Sequence, residues 1–282
     1  MEVFSSIETY SKWWKAQPKN LTLGFVPTMG ALHQGHVSLI KESKKHSDLT
    51  IASIFVNPTQ FNDPNDLLKY PRTPEKDIEA LHEAGCDVLF MPSSEEIYNN
   101  KYNITINPGP SAEILEGSFR PGHFKGVLQI VSKLFNIIRP DIGLFGNKDL
   151  QQLQLIKKMV LSLNYQIDIK GVDTVREESG LAMSSRNVRL DSKERDQALQ
   201  LIKNLNFARQ MWEKGEELAK IKSAVKENFG NFGSLKLEYF EAVEPEAFEI
   251  VNSREDLNSQ VAFCVAAYVG DVRLIDNIVI DN

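Results

Sequence analysis

Two histidines stand three residues apart in a turn between a strand-like apolar run and a helix-like run. They are His33 and His36, in the segment 27–36 (PTMGALHQGH). Backbone N–H groups near a helix N-terminus favour anions, and small residues such as Gly30 and Gly35 let the backbone come close to a ligand. One histidine here would more often be a partly buried residue bonded to a carbonyl. Two together after a strand indicate a phosphate site.

Amides, cations and hydroxyls recur in three later segments of the chain. These are 55–61 (FVNPTQF), 145–152 (FGNKDLQQ) and 183–187 (MSSRN). Ligands of open parallel sheets bind beyond the carboxyl ends of the strands, so the segments that follow strands are where function is expected. Each segment also has a purely structural interpretation. Gln60 suits a polar loop, Asp149 and Gln152 have capping-box spacing, and the serine-rich segment is typical of a turn.

Strand-like and helix-like segments alternate over the first 170 residues, as in a parallel sheet with helices on its faces. The predicted strands occupy 21–26, 49–56, 86–91, 141–145 and 166–172. Five helices are predicted. The first begins at a capping box of Ser5 and Glu8, the second follows HQGH, and the third begins at Thr73 with Pro74 and ends at Gly85. The fourth spans 125–139 and is ended by Pro140, and the fifth spans 149–164. These elements predict a Rossmann-like unit.

The pattern changes after about Val175. A charged helix opened by Asp191 and Glu194 and a second helix near 216–229 precede extended segments at 235–244 and 260–280. We therefore predict an α/β fold in which a Rossmann-like parallel-sheet domain covers 1–174. A smaller C-terminal α+β domain with a mostly antiparallel sheet covers 175–282.

Composition argues against several classes of protein. The 282-residue chain has 32 Lys and Arg against 38 Asp and Glu, a net charge of −6, so it lacks the basic footprint of a nucleic-acid binder. Cys86 and Cys264 form no CxxC pair, which favours a reducing cytosol. The longest apolar run, 261–270, is half of the roughly 20 residues that span a membrane. The N-terminus lacks signal-peptide character, so we expect a cytoplasmic protein without nucleic-acid or membrane partners.

The string HQGH is similar to the HxGH element of the nucleotidyltransferase superfamily, and PTMGALHQGH resembles the pantothenate synthetase (pantoate beta-alanine ligase) family. Further strings resemble family motifs in the same order, and the resemblance extends over essentially the whole chain. They are 55–61, 70–73 (YPRT), 120–124 (RPGHF), 145–152 and 183–187. The chain departs from the family at Asn147, where glutamate is usual. This affects any contact that depends on the carboxylate, since an amide can accept a hydrogen bond but carries no charge.

The resemblance implies an AMP-forming acid–amine ligase of pantothenate and coenzyme A biosynthesis. ATP and (R)-pantoate would form pantoyl adenylate and pyrophosphate, and beta-alanine would then displace AMP to give pantothenate. The resemblance also implies Mg²⁺, a homodimer, and an N-terminal domain that carries the ATP and pantoate sites while the smaller domain closes over them. It assigns no protein ligand to the metal.

The same resemblance assigns roles to individual residues of this chain. His33, His36, Lys148 and Arg186 would be catalytic, with His36 as the proton donor. Gln60 and Gln152 would bind pantoate, and Gln60 would also lie near beta-alanine. The implied ATP-binding residues are Met29, Gly30, Ala31, Leu32, His33, Gln34, Gly35, His36, Gly146, Asn147, Lys148, Asp149, Val175, Met183, Ser184, Ser185 and Arg186.

Three alternatives stay open. Another HxGH adenylyl- or cytidylyltransferase would pass a nucleotide to a phosphorylated acceptor. A class I aminoacyl-tRNA synthetase shares the same broad ancestry, but this chain has no room for an anticodon-binding domain. A catalytically silent nucleotide-binding or scaffold protein would consume no ATP, and the intact histidines, lysine and arginine argue against it.

Overall fold

The computed structural model describes residues 1–98, 104–230, 232, 235–257 and 259–281. The described residues form two compact units. One contains those of Met1–Asn147 together with Leu155–Asp173, and the other contains Lys148–Gln154 together with those of Thr174–Asn282. The short segment Lys148–Gln154 thus packs with the second unit, which no periodicity in the sequence indicates.

A parallel sheet forms the centre of the first unit, where its described residues supply six strands in the order β1-β4-β3-β2-β5-β6. The strands are β1 (Glu2–Phe4), β2 (Leu23–Thr28), β3 (Leu49–Ile54), β4 (Val88–Phe90), β5 (Ile142–Gly146) and β6 (Asp168–Val172). Every pairing is parallel. The predicted Rossmann-like α/β class is therefore confirmed, although β1 is an additional edge strand too short to show in the sequence pattern.

Helices connect these strands. They are α1 (Ile7–Ala16), α2 (Gln34–His46), α3 (Pro64–Lys69), α4 (Pro74–Glu83), α5 (Ser94–Tyr98), α6 (Glu116–Phe119), α7 (His123–Ile138) and α8 (Leu150–Ser162). The apolar residues of 125–139 recur at helical spacing in the sequence, which predicts one buried face. That face of α7 is buried, with Val127, Val131 and Leu134 all nearly inaccessible. The helix ends at Arg139 (φ +59°), directly before Pro140.

Several predicted details of the first unit differ in the structure. The strands predicted at 49–56, 86–91 and 166–172 are shorter, as β3, β4 and β6. The prediction that Ser5 and Glu8 form a capping box is wrong. The N-cap of α1 is Ser6, whose side chain accepts a hydrogen bond from the backbone N–H of Thr9. Two serines are adjacent there, and the sequence does not show which one caps. The strand predicted at 21–26 runs two residues later, since Leu23 to Thr28 pair in register with β3.

The second unit contains an antiparallel sheet of four strands among its described residues, in the order β10-β9-β7-β8. Its elements are α9 (Ser192–Glu213), α10 (Leu218–Gly230), β7 (Leu235–Glu244), β8 (Glu249–Ile250), β9 (Gln260–Val269) and β10 (Val272–Asp281). The predicted capping box of Asp191 and Glu194 opens α9. Trp212, Phe229 and Phe263 lie in the core, so the predicted α+β character is confirmed.

No helix among the described residues is both long and apolar enough to cross a lipid bilayer.

Candidate active site

The turn after β2 has a backbone shape that small residues permit. Gly30 and Ala31 both have positive φ, +80° and +50°. The backbone N–H of Gly30 donates to the Thr28 hydroxyl at 3.2 Å. A Cβ added to Gly30 would lie 2.9 Å from Oδ2 of Asp77, closer than real Cβ contacts. The segment therefore needs glycine here for both conformation and space.

The two histidines form a reciprocal capping box at the start of α2. Nδ1 of His33 accepts from the Gly35 N–H at 3.1 Å, and Nδ1 of His36 accepts from the His33 N–H at 3.2 Å. Their ring centroids are 4.1 Å apart. A neutral imidazole whose Nδ1 accepts carries its proton on Nε2, so Nε2 is the donor of each ring. The helix start thus fixes the tautomer and orientation of both side chains.

A buried carboxylate, Asp77 of α4, holds the turn from outside it. Its two oxygens accept from the backbone N–H groups of Ala31 at 2.9 Å and Leu32 at 2.8 Å. The hydroxyl of Thr73 donates to the same carboxylate at 3.1 Å, and therefore Thr73 occupies the N-cap position without a side-chain cap bond. Sequence reasoning missed Asp77, because an acid in the first turn of a helix has an ordinary role near the helix dipole.

Replacement of Asp77 by asparagine should loosen this turn. One carboxylate oxygen becomes an NH₂ group, so one buried backbone N–H loses its acceptor, at a cost of about 1–3 kcal/mol. Chemical denaturation measures this loss, and amide hydrogen exchange over 29–36 should become faster. Glu75→Gln, at an exposed position in the same helical turn, is the matched control. Equal stability and unchanged exchange in Asp77→Asn would contradict the anchoring role.

A cleft of about 310 Å³ opens beside the turn, within the size range of small-molecule sites. Its lining includes Met29, Gly30, Phe55, Arg72, Thr73 and Asp77.

Gln60, in the 3₁₀ turn Pro58–Gln60, is buried and oriented by Asn57. The amide nitrogen of Asn57 donates to Oε1 of Gln60 at 3.1 Å, and Oδ1 of Asn57 accepts from the Tyr98 hydroxyl at 2.6 Å. Burial raises the pKa of Tyr98 above its ordinary value, so this phenol stays a donor. The orientation leaves Nε2 of Gln60 facing the sulfur of Met29 at 3.2 Å. Two of the predicted ligand residues are therefore in contact.

The RPGHF segment supports Gln60 from the other side. Nδ1 of His123 lies 2.8 Å from the Gln60 carbonyl oxygen, and a guanidinium nitrogen of Arg120 lies 3.2 Å from Nε2 of the same ring. Because guanidinium can only donate, Nε2 accepts and Nδ1–H donates to the carbonyl. Arg120 in turn pairs with Glu116 at 3.7 Å. Sequence resemblance gives this segment no function, and the structure makes it a support for Gln60.

The 145–152 segment leaves β5 through a 3₁₀ turn, Asn147–Asp149, that runs directly into α8. The side-chain amide of Asn147 donates to Asp173 at 3.1 Å. In the second unit, the backbone carbonyl of Lys148 accepts from the side chain of Asn277 at 2.8 Å. Asp149 is exposed within the turn, and Gln152 is half-buried in the first turns of α8.

The 183–187 segment follows a small hairpin in the second unit. Arg176 and Ala182 form an antiparallel bridge, and the N–H of Met183 donates to the Val175 carbonyl at 3.0 Å. The Ser184 hydroxyl then caps the 3₁₀ turn Ser185–Arg189 by accepting from the Arg186 N–H at 3.2 Å.

Asn187 secures this segment. It is buried, and its amide donates to Glu177 at 3.0 Å and to the Ala182 carbonyl at 3.1 Å. Arg195 of α9 pairs with the same Glu177 at 2.9 Å. Hydrogen bonds of Asn187 and Glu177 therefore hold the 183–187 segment, whose residues would contact phosphate, in a fixed conformation.

The expected ligand residues thus fall into two groups. The first unit holds 29–36, Gln60, Gly146 and Asn147, and the second holds Lys148, Asp149, Gln152, Val175 and 183–186. Sequence reasoning missed the residues that support both groups. They are Asn57, Asp77, Glu116, His123, Arg176, Asp276 and Asn277. Within the described parts of the chain, no group of three or more His, Cys, Asp or Glu could hold a metal ion.

Comparison with known proteins gives a consistent result across the chain. The sequence profile described as pantoate-beta-alanine ligase matches residues 2–279. The pantothenate synthetase of Cytophaga hutchinsonii is 46% identical over 263 residues, which are 93% of this chain and 93% of the relative. That of Porphyromonas gingivalis is 44% identical over 279 residues, 99% of both chains.

Solved structures agree with the sequence relatives. The crystal structure of pantothenate synthetase from Thermus thermophilus superposes with a TM-score of 0.92 at 36% identity, covering 99% of both chains. A pantoate-beta-alanine ligase from Francisella tularensis, solved with beta-gamma ATP and beta-alanine, has a TM-score of 0.79 at 37% identity, covering 99% of this chain and 97% of that one. On these grounds the chain belongs to the pantoate-beta-alanine ligase family.

Proposed function

We propose that this chain joins (R)-pantoate to beta-alanine at the expense of ATP, through a pantoyl adenylate, to give pantothenate, AMP and pyrophosphate. The observation that carries the proposal is the match of residues 2–279 to the ligase family. The Francisella relative, whose structure was solved with beta-gamma ATP and beta-alanine, adds support for these two substrates.

In the first step, a carboxylate oxygen of pantoate attacks the α-phosphorus of ATP, and the bond from that phosphorus to pyrophosphate breaks. The carboxylate is already ionised at neutral pH, so the step needs alignment and charge neutralisation rather than a base. We assign hydrogen bonds from Nε2 of His33 and His36 to the phosphates, with His36 as the proton donor. Lys148 and Arg186 would stabilise the charge that builds up on the leaving pyrophosphate.

Further residues complete the proposed ATP contacts. They come from Met29, Gly30, Ala31, Leu32, Gln34, Gly35, Gly146, Asn147, Asp149, Val175, Met183, Ser184 and Ser185. Asn147 presents an amide that donates to Asp173. A contact that requires a carboxylate at this position is therefore not available in this chain.

Pantoate would be held by the side-chain amides of Gln60 and Gln152. An uncharged amide can orient a hydroxyl and a carboxylate without forming an ion pair that opposes reaction. The Asn57 contact supports this assignment, because it fixes which atom of Gln60 donates.

In the second step, the neutral amine of beta-alanine attacks the acyl carbon, and the bond from that carbon to the AMP oxygen breaks. The attacking nitrogen then loses one proton to solvent, which leaves the amide. Gln60 would lie near the entering amine. Because the adenylate is sensitive to water, we propose that 1–174 carries the ATP and pantoate sites and that 175–282 closes over the intermediate.

Three further properties belong to the same proposal. Mg²⁺ would be carried mainly by the ATP phosphates, as is usual for a cation that keeps several waters, and it would supply charge neutralisation. The enzyme would act in the cytoplasm. It would also be a homodimer.

The proposal predicts exchange of labelled pyrophosphate into ATP that requires pantoate but not beta-alanine. Addition of beta-alanine should then yield pantothenate and AMP. Exchange driven only by a phosphate ester would instead identify a nucleotidyltransferase. If ATP is not consumed with both substrates present, a catalytically silent binding protein is indicated.

A further inference from the structure

Two polar residues near the C-terminus, Asp276 and Asn277, have no part in the chemistry proposed above. They are adjacent on β10 and only 4% and 8% exposed. The backbone N–H of Asn277 donates to Oδ1 of Asp276 at 2.8 Å. β10 pairs with β9 from Val272 to Asp281, so the strand under both residues is continuous.

Asn277 holds the backbone of Lys148. Its Nδ2 donates to the Lys148 carbonyl at 2.8 Å, over a sequence separation of 129 residues. This bond fixes the point from which the flexible lysine side chain extends. It also gives a physical reason why the segment Lys148–Gln154 packs with the second unit.

Asp276 holds the hairpin that precedes Arg186. Its two carboxylate oxygens accept hydrogen bonds from the two terminal nitrogens of Arg176, at 2.7 and 2.9 Å. This pair is bidentate and its carboxylate is buried, which makes it geometrically specific. Arg176 also donates to the Gly180 carbonyl at 3.2 Å. Its bridge to Ala182 leads directly into the 183–187 segment, which carries Arg186.

We propose that Asp276 and Asn277 are positioning residues that fix, from one strand, the two segments carrying Lys148 and Arg186. The inference rests on the proposed function, because the two cations matter only if they bind phosphate. Because Asp276 and Asn277 are adjacent on one strand, their bonds keep the two segments at a fixed distance and orientation relative to each other. Misplacement of about 1 Å by a change far from the chemistry can cost about a hundredfold in rate.

The test compares Asn277→Ala with Val279→Ala, an exposed position on the same strand. In pantoate-dependent pyrophosphate exchange, Asn277→Ala should lower kcat by about tenfold to a hundredfold, because the backbone of Lys148 loses its anchor. Val279→Ala should behave as the parent enzyme. An unchanged kcat in Asn277→Ala would overturn the proposal.

A double-mutant cycle separates positioning from general stability. In a Lys148→Ala background, Asn277→Ala should have little further effect, since the group it positions is gone. In an Arg186→Ala background it should keep its full effect. The roles reverse for Asp276→Asn, which should lose its effect with Arg186→Ala. Effects that multiply in every background would show a merely structural role and overturn the proposal.

Calorimetric titration with ATP alone gives a readout that does not need pantoate. Asn277→Ala should weaken ATP binding relative to Val279→Ala. If the parent protein binds ATP but shows no pantoate-dependent exchange, the proposed function fails, while weakened binding in Asn277→Ala would still support the positioning role. Equal ATP affinity in all three proteins would count against the positioning role.

Discussion

Replacement of His36 by glutamine should reduce kcat for pantoate-dependent pyrophosphate exchange by about a hundredfold or more, because a preorganised donor to the phosphates is lost. Glutamine is the informative substitute. It is a usual residue at the N3 position of a capping box, so its side chain can still accept from the His33 N–H. The free energy of unfolding should therefore stay within about 0.5 kcal/mol of the parent value.

Two further variants define the origin of this effect. His36→Ala should lose the same activity and also about 1 kcal/mol of stability, because the cap bond disappears. His46→Gln changes an exposed histidine at the other end of α2 and should leave both quantities unchanged. Near-normal exchange in His36→Gln would remove His36 from the reaction and leave it a helix cap.

Substitution of Gly126 by alanine should raise KM for pantoate by about tenfold or more through displacement of Gln60. The added Cβ would clash with the Thr59 carbonyl oxygen and lie 2.8 Å from the Cα of Gln60, and both neighbours are backbone. The Gly126 carbonyl also accepts from Asn57 at 3.1 Å. Such overpacking commonly destabilises a protein by about 1–3 kcal/mol.

Steady-state kinetics with varied pantoate and chemical denaturation measure the two effects of Gly126→Ala. Gly230→Ala is the control, since its Cβ would meet nothing within 4 Å at the end of α10. A stable Gly126→Ala variant with an unchanged KM for pantoate would show that the tight contact between α7 and the 3₁₀ turn does not position Gln60.

Much of the fold follows from local patterns in the sequence. Short apolar runs that alternate with segments of helical periodicity predict the parallel sheet of the first unit. The apolar residues of 125–139 form the buried face of α7. The Asp191 and Glu194 box is present because both halves of a capping box lie within one helical turn. The candidate site residues are predicted from contiguous strings. The paired histidines of HQGH indicate a phosphate site by themselves, whereas MSSRN is assigned only through its resemblance to the family motif.

The supporting residues could not be found in this way, because their partners are distant in sequence. Asp77 binds N–H groups more than forty residues away, and His123 binds a carbonyl 63 residues away. Nothing in an isolated aspartate or histidine shows that its partner is a particular backbone atom. His33 and His36 differ from these residues, because their partners are local. Their spacing is that of a capping box, and this spacing indicates in the sequence that both rings also cap the helix.

The most direct test of the central claim follows the oxygens of pantoate through the complete reaction. With pantoate whose carboxylate carries oxygen-18, attack on the α-phosphorus followed by displacement with beta-alanine leaves one labelled oxygen on the phosphate of AMP. Mass spectrometry of the nucleotide product should therefore find AMP heavier by one oxygen-18. Label in inorganic phosphate with ADP as product, or AMP without label, would contradict carboxylate activation by adenylyl transfer.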